Sequence, residues 1–438
     1  MAFSAFVLPV AAQTGLPPAD LAASAEKQLP ALTEVYKNLH RNPELSQREE
    51  KTSTLLAGEL RKLGYTVTER VGKYEDGKPA FGIVAILDNG PGKRLLLRTD
   101  MDALPVEEKT GLEYQSKVRS TNAQGQDVGV MHACGHDLHM TVLLGVAKEM
   151  VDRKKHWHGT LMLVGQPSEE IIQGAKAMLA DHLYDRFGKP DYVVAEHDFP
   201  DIPAGSVGIK GGPVLASATT LTVTMRGIGS HGSAPQAGKD PIVLAAEFVL
   251  VAQTIVSRQV DPQQPAVLSV GTIHGGTKNN IIPDEVTMGL TLRTFSPAVR
   301  DQVVAAVKRT ADGLAEAYGI PADRMPVVTL NESTPATIND PALAARIRAD
   351  LEAALGKDHV AESRPSMGSE DVGLFSLEGQ IPSVMYSLGA TAQPRLDQFH
   401  HQGKLLPSLH SALFYPDYEL AIPAGVTGMT TVALDLLQ

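Results

Sequence analysis

Residues 94–108 read RLLLRTDMDALPVEE. The segment Arg94–Arg98 is short and continuously apolar between its two arginines, as a strand buried on both faces should be. Two carboxylates, Asp100 and Asp102, follow at its carboxyl end. The pattern recurs downstream. TLMLVG (160–165) runs into QPSEE, with Glu169 and Glu170, and DYVVAE (191–196) ends on Glu196 and His197. FGIVAIL (81–87) reads as another buried strand, and helices are expected at about 22–40, 47–63, 139–151 and 174–182. Strands alternating with helices predict an α/β layer around a mostly parallel sheet.

The texture changes near residue 215. TTLTVTMRG (219–227) alternates apolar and polar, as a sheet wetted on one face does. A helix (about 241–258), strands AVLSVGTIH (266–274) and EVTMGLTLRTF (285–295), a helix (about 297–318) and a strand at 327–330 complete a β-α-β-β-α-β order, the ferredoxin-like pattern. The α/β texture then returns, with a helix at 341–355, a strand at 381–389 and a helix at about 424–437. The expectation is a catalytic domain at 21–214 and 331–438, interrupted by a smaller unit at 215–330.

Composition narrows the function. Formal net charge is −11 and no cationic run stands out, which argues against nucleic acid as a partner. No stretch offers the roughly 20 uninterrupted apolar residues of a membrane span. Residues 1–20 read as a signal remnant or an unstructured tail. MAFSAFVLPVAAQ (1–13) is apolar, and Val10-Ala11-Ala12 resembles a signal-peptidase site although no basic segment precedes it. Export to a periplasm-like compartment is expected, with a cytoplasmic protein as the alternative.

The chemistry gathers where open parallel sheets bind ligands, beyond the carboxyl ends of the strands. There the chain places Asp100, Asp102, Glu169, Glu170, Glu196 and His197. Between the first two strand ends lies MHACGHDLHM (131–140), which holds the only cysteine of 438 residues, Cys134. A single acid after a strand is usually solvated or caps a helix. Carboxylates, imidazoles and a thiol converging on one sheet edge point instead to a metal site. Thiolate with imidazole favours zinc or another late first-row ion. Cys134 as a nucleophile with a histidine base is the rival reading, but it leaves the carboxylates idle.

LLLRTDMDALPVEE (95–108), MHACGHD (131–137), GQPSEE (165–170), NNIIPDEV (279–286), MGSEDVGLF (367–375) and LHS (409–411) together resemble the M20 metallopeptidase family. The nearest subgroup is the amidohydrolases of hippurate hydrolase and auxin-conjugate hydrolase type. The resemblance implies two divalent metal ions, zinc or manganese, and an inserted lid and dimerisation domain. It implies Cys134, His136, Glu170, His197 and His410 as ligands, Glu169 as general base and Asp102 as an orienting acid. It further implies His231 as an oxyanion donor serving the partner subunit, and Asn280 as a substrate contact. Arg293 could pair a substrate carboxylate. Leu138, Met140, Gln236 and Ala412 depart from the subgroup's usual residues without removing a ligand. The expected activity is cleavage of an N-acyl amino acid or short peptide by a homodimer or higher homo-oligomer. A dipeptidase or carboxypeptidase is the first alternative, and a non-catalytic metal- or peptide-binding protein the second.

Overall fold

The computed structural model describes residues 18–438; the signal-like stretch 1–13 lies outside them. The chain forms two compact units. The first comprises residues up to Gly212 with Asn339–Ser363 and Phe375–Gln438, and the second Pro213–Ile338 with Arg364–Leu374.

The first unit is an α/β layer built on an eight-stranded sheet. Its spatial order is Thr66–Lys73, Pro79–Asn89, Gly159–Gln166, Arg94–Asp100, Tyr192–Pro203, Ser383–Thr391, Val207–Ile209, Val360–Glu362. The central strands Gly159–Gln166, Arg94–Asp100, Tyr192–Pro203 and Ser383–Thr391 are mutually parallel, in keeping with their continuous apolar runs. Leu95, Leu96 and Leu97 are fully buried in succession, which requires cover on both faces of the sheet. The Pro79–Asn89 strand is antiparallel to both of its neighbours. Helices Pro18–Arg41, His136–Asp152, Pro341–Leu355 and Tyr418–Leu436 pack together over the sheet and share one core through Tyr36, Leu143, Leu351 and Met429. The last helix begins ahead of Pro423 and includes it, where the sequence suggested a start after the proline. His400 and His401 end an exposed helical turn, Gln393–His401.

The second unit is an antiparallel sheet ordered Ala266–Gly275, Glu285–Thr294, Ala218–Arg226, Val327–Thr334. Leu221, Val223 and Met225 alternate inward and pack against Leu244, Phe248 and Ile255 of the helix Pro241–Gln259, and against Val303 and Val307 of the helix Pro297–Ala317. Asp240 caps the first helix by accepting from the Ile242 amide at 2.8 Å, with Pro241 preset at the first position. That helix is long and apolar enough to match a membrane span. Its Leu244, Phe248 and Ile255 face the unit's core, however, while Ile242, Val243 and Leu250 are exposed.

Candidate metal centre

Register brings the sequence motifs level. Asp100 lies opposite Gln166, and Arg98 opposite both Val164 and Ala195. Glu169 and Glu170, in the turn after one strand, and His197, on the other strand, therefore reach the same edge of the first unit. Asp102 ties this edge together. Its Oδ1 accepts from the Glu169 amide at 3.1 Å, and its Oδ2 from the Glu170 amide at 3.1 Å and from Ser46 Oγ at 2.6 Å.

The helix His136–Asp152 starts at the cluster. Gly135 precedes it at φ +75°, where a Cβ would stand 2.5 Å from both carboxylate oxygens of Asp198. Only glycine fits that turn, which sets Cys134 on one side of it and His136 on the other. His410 arrives from a loop near the carboxyl end of the chain, also in the left-handed region at φ +67°. Its amide donates to the Ala133 carbonyl at 2.7 Å, which fixes the imidazole beside Cys134.

The donors then meet. Cys134 Sγ lies 3.6 Å from His197 Nε2 and 3.3 Å from His410 Nε2. Glu170 Oε2 is 3.4 Å from His410 Nε2, and Glu170 Oε1 is 3.8 Å from His136 Nε2. His136 Nε2 also stands 3.8 Å from Asp100 Oδ2 and from Glu169 Oε2. The sulfur contacts are within hydrogen-bond reach, whereas the 3.8 Å contacts of His136 Nε2 are too long for one. All these separations suit donors sharing an ion, since bond lengths of about 2.0–2.3 Å put neighbouring donors about 3.3–3.8 Å apart. His136 Nε2 and Glu170 Oε1 are buried with no hydrogen-bond partner among the described residues. His136 Nδ1 donates to the Asp102 carbonyl at 2.7 Å and His197 Nδ1 to the Asp198 carbonyl at 2.8 Å. Both rings are thus turned to present Nε2 to the cluster, as ligating histidines are.

Electrostatics agree with that fit. Burial, with the Asp102 and Asp100 charges, pushes Glu170 up to about 8, and burial with the Glu170 and Glu169 carboxylates raises the Cys134 thiol. Burial works against a charge on His136, yet Asp100, Asp102 and Glu170 raise it to about 9. The protein alone leaves this site too negative, and divalent cations relieve that excess. The donor set therefore fits the two ions that the family resemblance implies.

His139 illustrates what the sequence reading missed. It stands in the same run as the ligands, yet Nδ1 lies 2.7 Å from Asp100 Oδ1, and Nε2 lies 3.1 Å from Asp198 Oδ1 and 2.8 Å from the Asp198 amide. The carboxylates favour the imidazolium and the amide the neutral ring. Either way both nitrogens are engaged, so His139 props Asp100 and Asp198 in place. Arg98, fully buried in the central strand, donates to Asp100 Oδ2 at 2.6 Å and to Gln166 Oε1 at 2.9 Å. An arginine inside an otherwise leucine-rich strand was the available signal. Asp137 turns away to His40 Nδ1 at 2.6 Å, and His132 is buried with neither ring nitrogen bonded among the described residues.

Three candidates belong to the second unit. His231 is exposed and accepts from Ser233 Oγ at 2.8 Å on Nδ1. It pairs with Ile281, next to Asn280, whose carbonyl accepts from the Gly232 amide at 2.8 Å. His231 and Asn280 thus share one ribbon, near the end of the sheet where Arg226 pairs with Glu285. Arg293 pairs with Val267 eight residues along the same strand from Glu285, roughly 26 Å away at about 3.3 Å per residue. Burial lowers the pKa of its guanidinium.

Residues 96–404 match the family described as Peptidase family M20/M25/M40. The chain belongs to that family. It is 35% identical over 391 residues to thermostable carboxypeptidase 2 of Saccharolobus solfataricus, covering 89% of this chain and 91% of the relative. It is 37% identical over 344 residues to hippurate hydrolase of Campylobacter jejuni, covering 77% and 82%. The crystal structure of Bacillus subtilis YXEP protein, a dinuclear metal-binding peptidase of the M20 family, superposes with a TM-score of 0.74 at 26% identity, covering 95% of this chain and 99% of that one. The protein is a metal-dependent hydrolase of the M20 type, with relatives among both amidohydrolases and peptidases.

Proposed function

We propose that this M20 hydrolase cleaves the amide bond of N-acyl amino acids. The observation that carries the reading is the turn that presents Glu169 and Glu170 side by side, next to Cys134, His136, His197 and His410. The likeness to hippurate hydrolase and to N-acetyl-L-cysteine deacetylase of Bacillus subtilis supports an acylated amino acid as substrate. Cys134, His136, Glu170, His197 and His410 would hold two divalent cations, zinc or manganese. Bound there, such ions lower the pKa of water toward neutrality and polarise the amide carbonyl. Glu169 takes the proton from the attacking water and delivers it to the leaving amine. Asp102 steadies the turn that carries both glutamates by accepting from their adjacent amides.

His231 is assigned as the oxyanion donor, with Asn280 and Arg293 recognising the substrate carboxylate. Because Asn280 and Arg293 stand near opposite ends of one sheet, a single carboxylate meets both only if Asn280 comes from a second copy, together with His231. A dimer through the second unit meets this need. Its edge strand Ala266–Gly275 is largely exposed, and Leu250 is 72% exposed. Export, expected from residues 1–13, belongs to the same proposal.

The kinship with a carboxypeptidase supports a second reading, cleavage of a C-terminal peptide bond. Zinc- or manganese-loaded protein assayed on N-acetyl and N-benzoyl amino acids beside matched dipeptides separates the two. The acyl substrates should lead by roughly tenfold or more in kcat/KM. A lead by the dipeptides establishes the peptidase instead.

A further inference from the structure

Ser168 is fully buried and adopts φ +54°, a left-handed conformation that a serine rarely takes unless its surroundings impose it. It immediately precedes Glu169 and Glu170. Its amide donates to Glu49 Oε1 at 2.8 Å, and its hydroxyl donates to the same oxygen at 3.0 Å. The hydroxyl oxygen in turn accepts from the Gln47 amide at 2.9 Å and sits 2.6 Å from Tyr74 OH. One donor and two acceptor sites exhaust a hydroxyl, so with Tyr74 donating the side chain is saturated. The Ser168 carbonyl accepts from the amides of Gln173 and Gly174, at 3.1 Å each.

Glu49 is itself fully buried, and Oε1 also takes the Gln47 amide at 2.9 Å. Combined with Asp102, this gives three consecutive amides, those of Ser168, Glu169 and Glu170, captured by two buried carboxylates from distant parts of the chain. We propose that Glu49 is a positioning residue for catalysis: it holds Ser168 in its left-handed conformation and so aims Glu169 and Glu170. Glu49 stands outside the clusters of potential metal ligands and bonds to Gln47 and Ser168, so that its effect runs through the turn. The inference rests on the assignment of Glu169 as base and Glu170 as ligand.

The experiment uses full-length Glu49→Ala, Glu49→Gln and Glu49→Ala/Ser168→Gly proteins. Three readouts are taken: kcat and KM on an N-acyl amino acid, metal retained after dialysis against a weak chelator, and melting of the metal-free protein. Glu49→Ala should lose roughly 10–100-fold in kcat or in metal affinity, the range for partners that orient ligands, with KM little changed. Glu49→Gln, whose amide oxygen can replace Oε1 toward all three donors, should restore most of the loss. Ser168→Gly in the Glu49→Ala background should also recover part of it, because glycine adopts positive φ without an external clamp. A merely space-filling role for Glu49 would not respond to a glycine at 168.

Glu49→Ala within about twofold of wild type in kcat and metal retention would overturn the proposal, given the expected range. So would a double variant no better than the single one at equal metal-free melting temperature. If Glu49→Ala does not fold, Glu49→Asp, which draws the carboxylate back by one methylene, replaces it in both comparisons. If wild-type protein hydrolyses no amide at all, the functional reading fails, while metal retention across the same variants still decides the role of Glu49.

Discussion

Replacing Gly135 by alanine tests how tightly the turn between Cys134 and His136 is built. At φ +75° an L-residue costs roughly 1–2 kcal/mol in backbone strain alone. The new Cβ would also lie 2.5 Å from Asp198 Oδ1 and Oδ2, closer than carbon and oxygen can approach. Relief of that clash by a shift of Asp198 of several tenths of an ångström would disturb its contact with His139 Nε2, now 3.1 Å from Oδ1. A hydrogen bond to a charged group contributes about 1.5–3 kcal/mol, so the sum is roughly 3–5 kcal/mol. Gly111 supplies the control, because at φ +76° a methyl group added there would meet nothing within 4 Å, so that alanine costs only the strain. Metal-free Gly135→Ala should melt a few degrees below Gly111→Ala, at roughly 1–2 °C per kcal/mol for a unit of this size. Elemental analysis after dialysis should also find less metal than in wild type, because the flanking donors Cys134 and His136 are displaced. Equal melting temperatures for the two variants, with undiminished metal content in Gly135→Ala, would refute the reasoning.

Glu169→Gln should lose on the order of 10²–10⁴ in kcat while keeping its metal, and Glu170→Gln should lose metal; the reverse pattern exchanges the two roles. Mixing inactive Glu169→Gln chains with inactive His231→Ala chains should restore activity through hybrid dimers, and no recovery after proven subunit exchange would place His231 in its own chain's reaction or outside it. Burial and the neighbouring Asp435 push Asp350 up to about 8, above its unfolded value. The folded state therefore binds the extra proton, and stability falls as pH rises from about 4 towards 8. Asp350→Asn should remove that slope in melting scans between pH 5 and 9, and an unchanged slope would show that the carboxyl is not the group responsible.

The sheet edge was legible because buried parallel strands announce themselves as apolar runs, and although one acid after such a run means little, several acids and a histidine after neighbouring runs converge on one edge. Asp100, Asp102, Glu169, Glu170 and His197 were all found that way. The inserted sheet was legible for the opposite reason, since one wet face leaves a period of two in residues 219–227. The supporting groups were not. Glu49 meets Ser168 across 119 residues and His40 meets Asp137 across 97, and no local period encodes such contacts. The strand Val360–Glu362 is three residues long and pairs with the equally short Val207–Ile209, so its existence depends on the partner rather than on its own sequence. Pro423 suggested a boundary that the buried face of the last helix overrides. The separation of Asn280 from Arg293 likewise needed the register of the strand between them.

Cys134 and His410 stand 3.3 Å apart and 276 residues apart in sequence. An ion coordinated by both is a removable cross-link that closes a loop containing the entire inserted sheet. By the chain-entropy relation for cross-links, a loop of that length removes about 5–6 kcal/mol of freedom from the unfolded chain. The cations would then be structural staples as well as reagents, and a chelator would act on this protein much as a reductant acts on a disulfide-bonded one. Binding and integrity would be coupled: a chain nicked or locally unfolded anywhere between the two residues would hold its metal less tightly, making metal retention a gauge of whether the whole loop is intact.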